Sequence, residues 1–238
     1  MLEFFSTVEG LTESFPIINA KDYIPKWSTQ AKEDFKNQED KTAPHVALCP
    51  GIFDIMKTGY IINAWCDFEI YADENGLQSR YPPEMEDLLG KKVIQIQSGD
   101  GIAKLLPKKP WANKDIVKIN TPWYIKSNKK FLMIPLPYND NFSLESSIGI
   151  LDPSISNVIN IQSYVNGRGI LSVKAGEPLC QLIPLTEEVE KLIVRDANKK
   201  DLEFIQKNKF INNNSFRLNR QLFKNFYKKF ISPKCPFH

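Results

Sequence analysis

Histidine is nearly missing from this chain: His45 and His238 are the only two among 238 residues. An iron centre of the cupin or facial-triad kind needs at least a pair of imidazoles and a carboxylate converging from barrel strands. His45 is followed by Val46 and Ala47, so no H-x-D or H-x-E pair exists, and that class of oxygenase is excluded on ligand count. Cysteine is also scarce. Cys49, Cys66, Cys180 and Cys235 are too few and too scattered for a disulfide framework, and Cys66 and Cys180 sit in apolar strand patterns as buried thiols. No apolar run approaches the about eighteen residues of a membrane span. The N-terminus MLEFFSTVEGLTESF lacks a basic region followed by an apolar core, so it does not read as a signal peptide. A cytoplasmic setting, in a bacterial or phage-infected cell, is the expectation. G-x-G-x-x-G, G-x-x-x-x-G-K-[ST] and G-x-S-x-G are all absent, which removes the commonest phosphate loops and the nucleophile elbow.

Acid is missing from one end only. Residues 204–238 hold eight Lys and Arg and no Asp or Glu, so the net charge of +3 divides into −5 for residues 1–203 and +8 for the rest. A mildly acidic body carries a basic tail. Within that tail, Phe216, Leu218, Leu222, Phe223, Phe226, Tyr227 and Phe230 interleave with the cations. Ser215 as cap and Pro233 as stop predict a basic amphipathic helix. Such a helix packs its aromatic stripe on the body or on a second subunit, and nucleic acid is a partner only through it.

What is abundant is β pattern. Hydrophobic residues make up 42% of the chain and 15 are Phe, enough for a packed interior. Residues 1–48 read as an irregular arm with a polar helix near Thr29–Gln38. Pro50 starts a short helix that Gly59 follows. YIINAWCDFEIYA alternates as one half-buried strand, and DENG turns it into LQSRY as a hairpin. A short helix over 83–89 and a strand over 94–98 come next. From Ile116 onward IVKI, WYIK, KFLMIPLP, SSIGILD, VINIQSYV, GILSVK and PLCQLIPL follow at even spacing. In the last of these, Gly176 allows positive φ and Pro178 leads into the strand. Pro184 donates no ladder bond and belongs at a strand edge or end. EEVEKLIV and DLEFIQKN then read as helix. The expected fold is mainly β: a jelly-roll or barrel-like β-sandwich over 49–186, with the arm before it and C-terminal α-helices over 187–238.

An ordered set of short motifs runs through this β region: Thr121-Pro122-Trp123, Met133–Pro137, Gly149-Ile150-Leu151-Asp152, Gly176-Glu177-Pro178-Leu179-Cys180 and Ile183-Pro184. With Cys49-Pro50 and Gly59–Ile62 in front, the series resembles an uncharacterised family of bacteria and phages over roughly residues 45–186. The resemblance implies a common fold and brings no established activity. The run Gly176–Ile183 is also similar to a strand of the dUTPase fold, whose nucleotide-site motifs the chain lacks.

Two candidate sites emerge. Trp65 and Asp67 on the polar face of one strand, Trp123 opening another and Asp152 closing a third would together suit a small polar or cationic ligand at a barrel mouth. His45-x-x-x-Cys49 and Cys235-x-x-His238 are two ligand pairs at zinc spacing; filled together they would make a closed, structural site. Otherwise no cofactor is expected. Two functions follow. One is a small-molecule-binding protein, or a non-cupin enzyme, with its pocket at the barrel mouth. The other is a phage-type structural or interaction protein whose terminal arms grip a protein partner or further copies of itself.

Overall fold

The computed structural model describes residues 2–100, 109–136, 143–186, 188 and 191–206. It divides into two compact units, Met1–Asp196 and Ala197–His238. The first begins with β1 (Leu2–Ser6), α1 (Leu11–Ser14), β2 (Ile18–Asn19), α2 (Lys26–Asn37) and α3 (Pro50–Lys57). β3 (Tyr60–Asn63), β4 (Phe68–Asp73), β5 (Gly76–Arg80), α4 (Glu84–Leu89) and β6 (Ile94–Gln97) follow. Then come β7 (Ala112–Lys126), β8 (Phe131–Ile134), β9 (Leu144–Ser146), β10 (Gly149–Leu151) and β11 (Val158–Asn166). The unit ends with β12 (Gly169–Val173), β13 (Pro178–Pro184) and β14 (Leu192–Asp196).

The protein is mainly β, and among the described residues the strands form three sheets with no closed barrel. Sheet one runs β14-β1-β7-β11-β9, with β6 also on β7; sheet two runs β10-β8-β13-β3-β2; sheet three runs β12-β4-β5. One buried cluster draws on all three: Phe4, Val117, Ile119 and Trp123 from sheet one, Ile62, Phe131 and Leu182 from sheet two, Phe68, Ile70 and Val173 from sheet three.

β7 is the spine of sheet one, and Pro122 sits inside it. That position is tolerable because of where the strand changes neighbours. β7 pairs with β6 through Ile116–Ile119 and with β1 through Trp123–Lys126. Pro122 falls in the seam between the two, where its missing N–H forfeits no ladder bond, and its carbonyl still accepts Thr7 N–H at 3.1 Å.

Several expectations hold in detail. α2, α3 and α4 lie where the helix signals place them, with Pro50 at the first turn of α3. Gly59 has φ 84°, and a Cβ there would stand 2.0 Å from the Leu182 carbonyl oxygen, so only glycine lets the chain pass β13 this closely. Gly176 has φ 86°, and Pro184 is the last residue of β13.

Three expectations are corrected. Residues 2–6 are not an irregular arm: β1 is an interior strand of sheet one, pairing β14 on one side and β7 on the other. YIINAWCDFEIYA is not one strand. It breaks at Ala64–Asp67, so β3 joins sheet two and β4 joins sheet three. Ala64 explains the break by exchanging backbone bonds with the β12–β13 turn: its N–H donates to Glu177 at 2.7 Å, and its carbonyl accepts Gly176 N–H at 2.8 Å. Residues 192–196 are strand β14, parallel to β1, and not helix. The apolar run Leu192-Ile193-Val194 suits a pleated edge, and the ladder offered by β1 outweighs the helical spacing of the acids before it. The Arg195–Glu3 ion pair ties β14 across to β1.

In the second unit, residues 199–206 are helical, in agreement with the reading of DLEFIQKN. Asn198 and Asp201 cap its start reciprocally, with Asn198 N–H donating to Asp201 Oδ2 at 2.8 Å and Asp201 N–H to Asn198 Oδ1 at 3.2 Å. The expected basic helix lies outside the described residues. Among those described, no helix is long and apolar enough to cross a membrane.

Candidate functional site

Sheet three has one face in the core and one in water. Phe68, Ile70, Ala72, Leu77 and Val173 point inward and are buried. By the period of two, Glu69, Tyr71, Arg80 and Ser172 point outward. The register sets Ser172 opposite Glu69 and Glu69 opposite Arg80, so hydroxyl, carboxylate and guanidinium form one row across three strands. Beyond the end of that row the chain turns through Pro82 and Pro83 into α4. The result is a cleft of about 380 Å³ whose lining includes Asp67, Glu69, Arg80, Tyr81, Ser172 and Lys174.

Asp67 fixes one wall. It accepts Ala175 N–H at 2.8 Å and Lys174 Nζ at 3.0 Å. The backbone bond from Ala175, then the one from Lys174, holds its carboxyl below the ordinary value, and the same pairing raises Lys174. The tie crosses from the β3–β4 break to the turn before Gly176. Glu69 accepts Tyr71 OH at 2.5 Å. Tyr81 OH donates to Glu86 at 2.8 Å, and burial, then that neighbour, raises its phenol. Arg80 is exposed, and among the described residues its guanidinium makes no hydrogen bond or ion pair. A free fork-shaped cation beside a carboxylate, a hydroxyl and two prolines can bind a small carboxylate or phosphate.

Of the four ligand-binding candidates, Asp67 alone lines this cleft. Trp123 is fully buried in β7. Trp65 is 5% exposed in the break before β4, its indole N–H donating to the Asn120 carbonyl at 3.0 Å. Both indoles therefore face the core. Asp152 follows β10 at the edge of sheet two, where it accepts Ser154 Oγ at 2.5 Å and pairs with Lys130 at 3.1 Å. The hydroxyl of Ser154, then Lys130, lowers its carboxyl. Arg80, Ser172 and Lys174 were missed. The cross-strand row would have exposed the first two only once the β4–β12 pairing was known, and β12 is about a hundred residues away in sequence.

His45 caps the 3-10 turn Val46–Leu48, its Nδ1 accepting Ala47 N–H at 3.1 Å, which leaves Nε2 for any metal. Cys49 is exposed, whereas Cys66 and Cys180 are buried. Burial, then the charge of Asp67, pushes the Cys66 thiol up to about 12, and burial alone raises Cys180 further. Cys235 and His238 lie outside the described residues. Among those described, no three or more His, Cys, Asp and Glu side chains gather as a metal group.

No protein-family model, no curated protein and no solved structure matches this chain.

Proposed function

We propose that the protein binds a small polar molecule in the cleft over sheet three, with Arg80 holding an anionic group of the ligand and Glu69 and Ser172 reading its polar neighbour. The observation that carries this reading is the Arg80 guanidinium, without a hydrogen bond or ion pair among the described residues, in a cleft where Lys174 is already held by Asp67. Guanidinium recognises carboxylate and phosphate through two parallel bonds, which gives orientation as well as attraction. Membership of the bacterial and phage family belongs to the same proposal, supported by the order of the motifs alone. So does the packing of the sheets as a sandwich, which the shared core supports.

The test is amide NMR during titrations with acetate, glutamate and inorganic phosphate. At least one should shift the Glu69, Arg80 and Ser172 amides to saturation, and Arg80→Ala should weaken that binding about tenfold or more. Spectra that stay still with all three probes, or shifts unaffected by Arg80→Ala, refute the reading.

A second reading, an assembling structural or interaction protein of phage type, draws on a different surface. Ile148, Ile150 and Ile155 are 71, 57 and 67% exposed around β10, one edge strand of sheet two among the described residues. Apolar side chains on an open edge favour self-association.

A further inference from the structure

Among the described residues β6 pairs on one side only, and the direction of its remaining backbone groups can be worked out. In an antiparallel pair, alternate residues bond to the partner and the others point away. Asn120 N–H donates to the Val93 carbonyl at 2.8 Å. Residues 93 and 120 are thus a bonded pair, and the β6–β7 register continues as Gln95↔Lys118 and Gln97↔Ile116. The backbone groups of Ile94 and Ile96 must therefore point away from β7. Among the described residues no strand pairs with β6 on that side.

A groove of about 600 Å³ lies along this edge, lined by the continuous run Ile94–Ser98, by Lys92 and by Ser79 of β5. Among the described residues its lining contains one cation and no acid. The side-chain carbonyl oxygen of Gln97, also in the lining, is shut off from solvent and has no donor among the described residues.

We infer that this groove takes a linear peptide segment of a partner, added as an antiparallel strand to β6, with an acidic C-terminal end at Lys92. Residue and strand spacings of about 3.4 and 4.8 Å, with sheets about 10 Å apart, let 600 Å³ hold about four residues of extended chain. Main-chain bonds to Ile94 and Ile96 supply the affinity. Antiparallel addition sets the C-terminus of the peptide beside the N-terminal end of β6, where Lys92 stands. The groove, walled by Ser79, favours a single strand over the sheet edge of a second folded copy. This site is separate from the cleft proposed above.

The probe is an acetylated pentapeptide of alternating threonine and valine ending on a free aspartate. Hydrogen exchange by NMR should show the Ile94 and Ile96 amides slowed by the peptide while those of Gln95 and Gln97 stay as they were. Ile96→Pro removes only an outward N–H, so it should keep the melting temperature yet weaken the peptide about tenfold or more, and Lys92→Glu should weaken it less. Should Ile96→Pro fail to fold, the exchange pattern of the unaltered protein still decides. No protection at millimolar peptide, protection elsewhere, or full binding by Ile96→Pro overturns the inference. So does protection of the same two amides that rises with protein concentration in the absence of peptide, which would assign the edge to a second copy.

Discussion

The two faces of sheet three are built from the same three strands and obey opposite rules. The inner face carries Phe68, Ile70, Leu77 and Val173, all buried within one cluster that reaches the other two sheets. The outer face carries Glu69, Tyr71, Arg80 and Ser172, arranged by the same register but held by few contacts. On the inner face each side chain is fixed by packing from several directions, so its identity is set by volume. On the outer face the backbone fixes where each group stands, and the chemistry of the group is left free. That is the arrangement a binding surface requires: a rigid frame whose exposed row can change without unfolding it.

The comparison breaks first if the inner face proves soft. Phe68 is 3% exposed, and Phe68→Ala should destabilise the protein by about 3–5 kcal/mol in urea unfolding, through lost burial and the cavity left behind. A change below about 1 kcal/mol would mean that sheet three is not anchored to the core as described. Arg80→Ala lies on the outer face of the same hairpin, opposite Glu69, and sharpens the contrast. Stability should move by no more than about 0.5 kcal/mol, while the anion binding described above weakens about tenfold or more.

Much of this frame was legible in the sequence because it depends on short-range signals. The DENG turn, the proline at the start of α3, Gly59, Gly176 and the terminal Pro184 each follow from backbone rules that act over a few residues. β1 and β14 were not legible. LEFFS is too short to show a period, and LIVRD follows acids at helical spacing; β14 becomes a strand by finding β1, about 190 residues away, and β1 by finding β14 and β7. The break at Ala64–Asp67 was hidden for a related reason. The alternation of YIINAWCDFEIYA runs unbroken through it, and what bends the chain is a turn more than a hundred residues downstream. The candidate site suffered the same way. Asp67 could be picked as a polar strand residue, whereas Trp65 and Trp123 look the same in sequence whether they line a pocket or fill a core. Burial and the Asn120 carbonyl decide for the core.

The smallest expected effect lies at Asp67, in the break before β4. Its carboxyl is exposed, yet the bonds from Ala175 and Lys174 hold its pKa below the ordinary 3.8. A group whose pKa is depressed by folding stabilises the folded state at full strength above its unfolded value. That contribution fades as pH falls through the folded value. The tie between the β3–β4 break and the β12–β13 turn should therefore be complete at neutral pH and weaken only on the acid side of 3.8. Asp67→Asn keeps the shape and removes the titration. Thermal melts of the two proteins should run parallel between pH 7 and about 5 and converge below about pH 4, as the unaltered protein loses what the variant never had. A gap that instead widens on acidification would reverse the sign, and would mean that the neutral carboxyl makes the better partner for the Ala175 N–H.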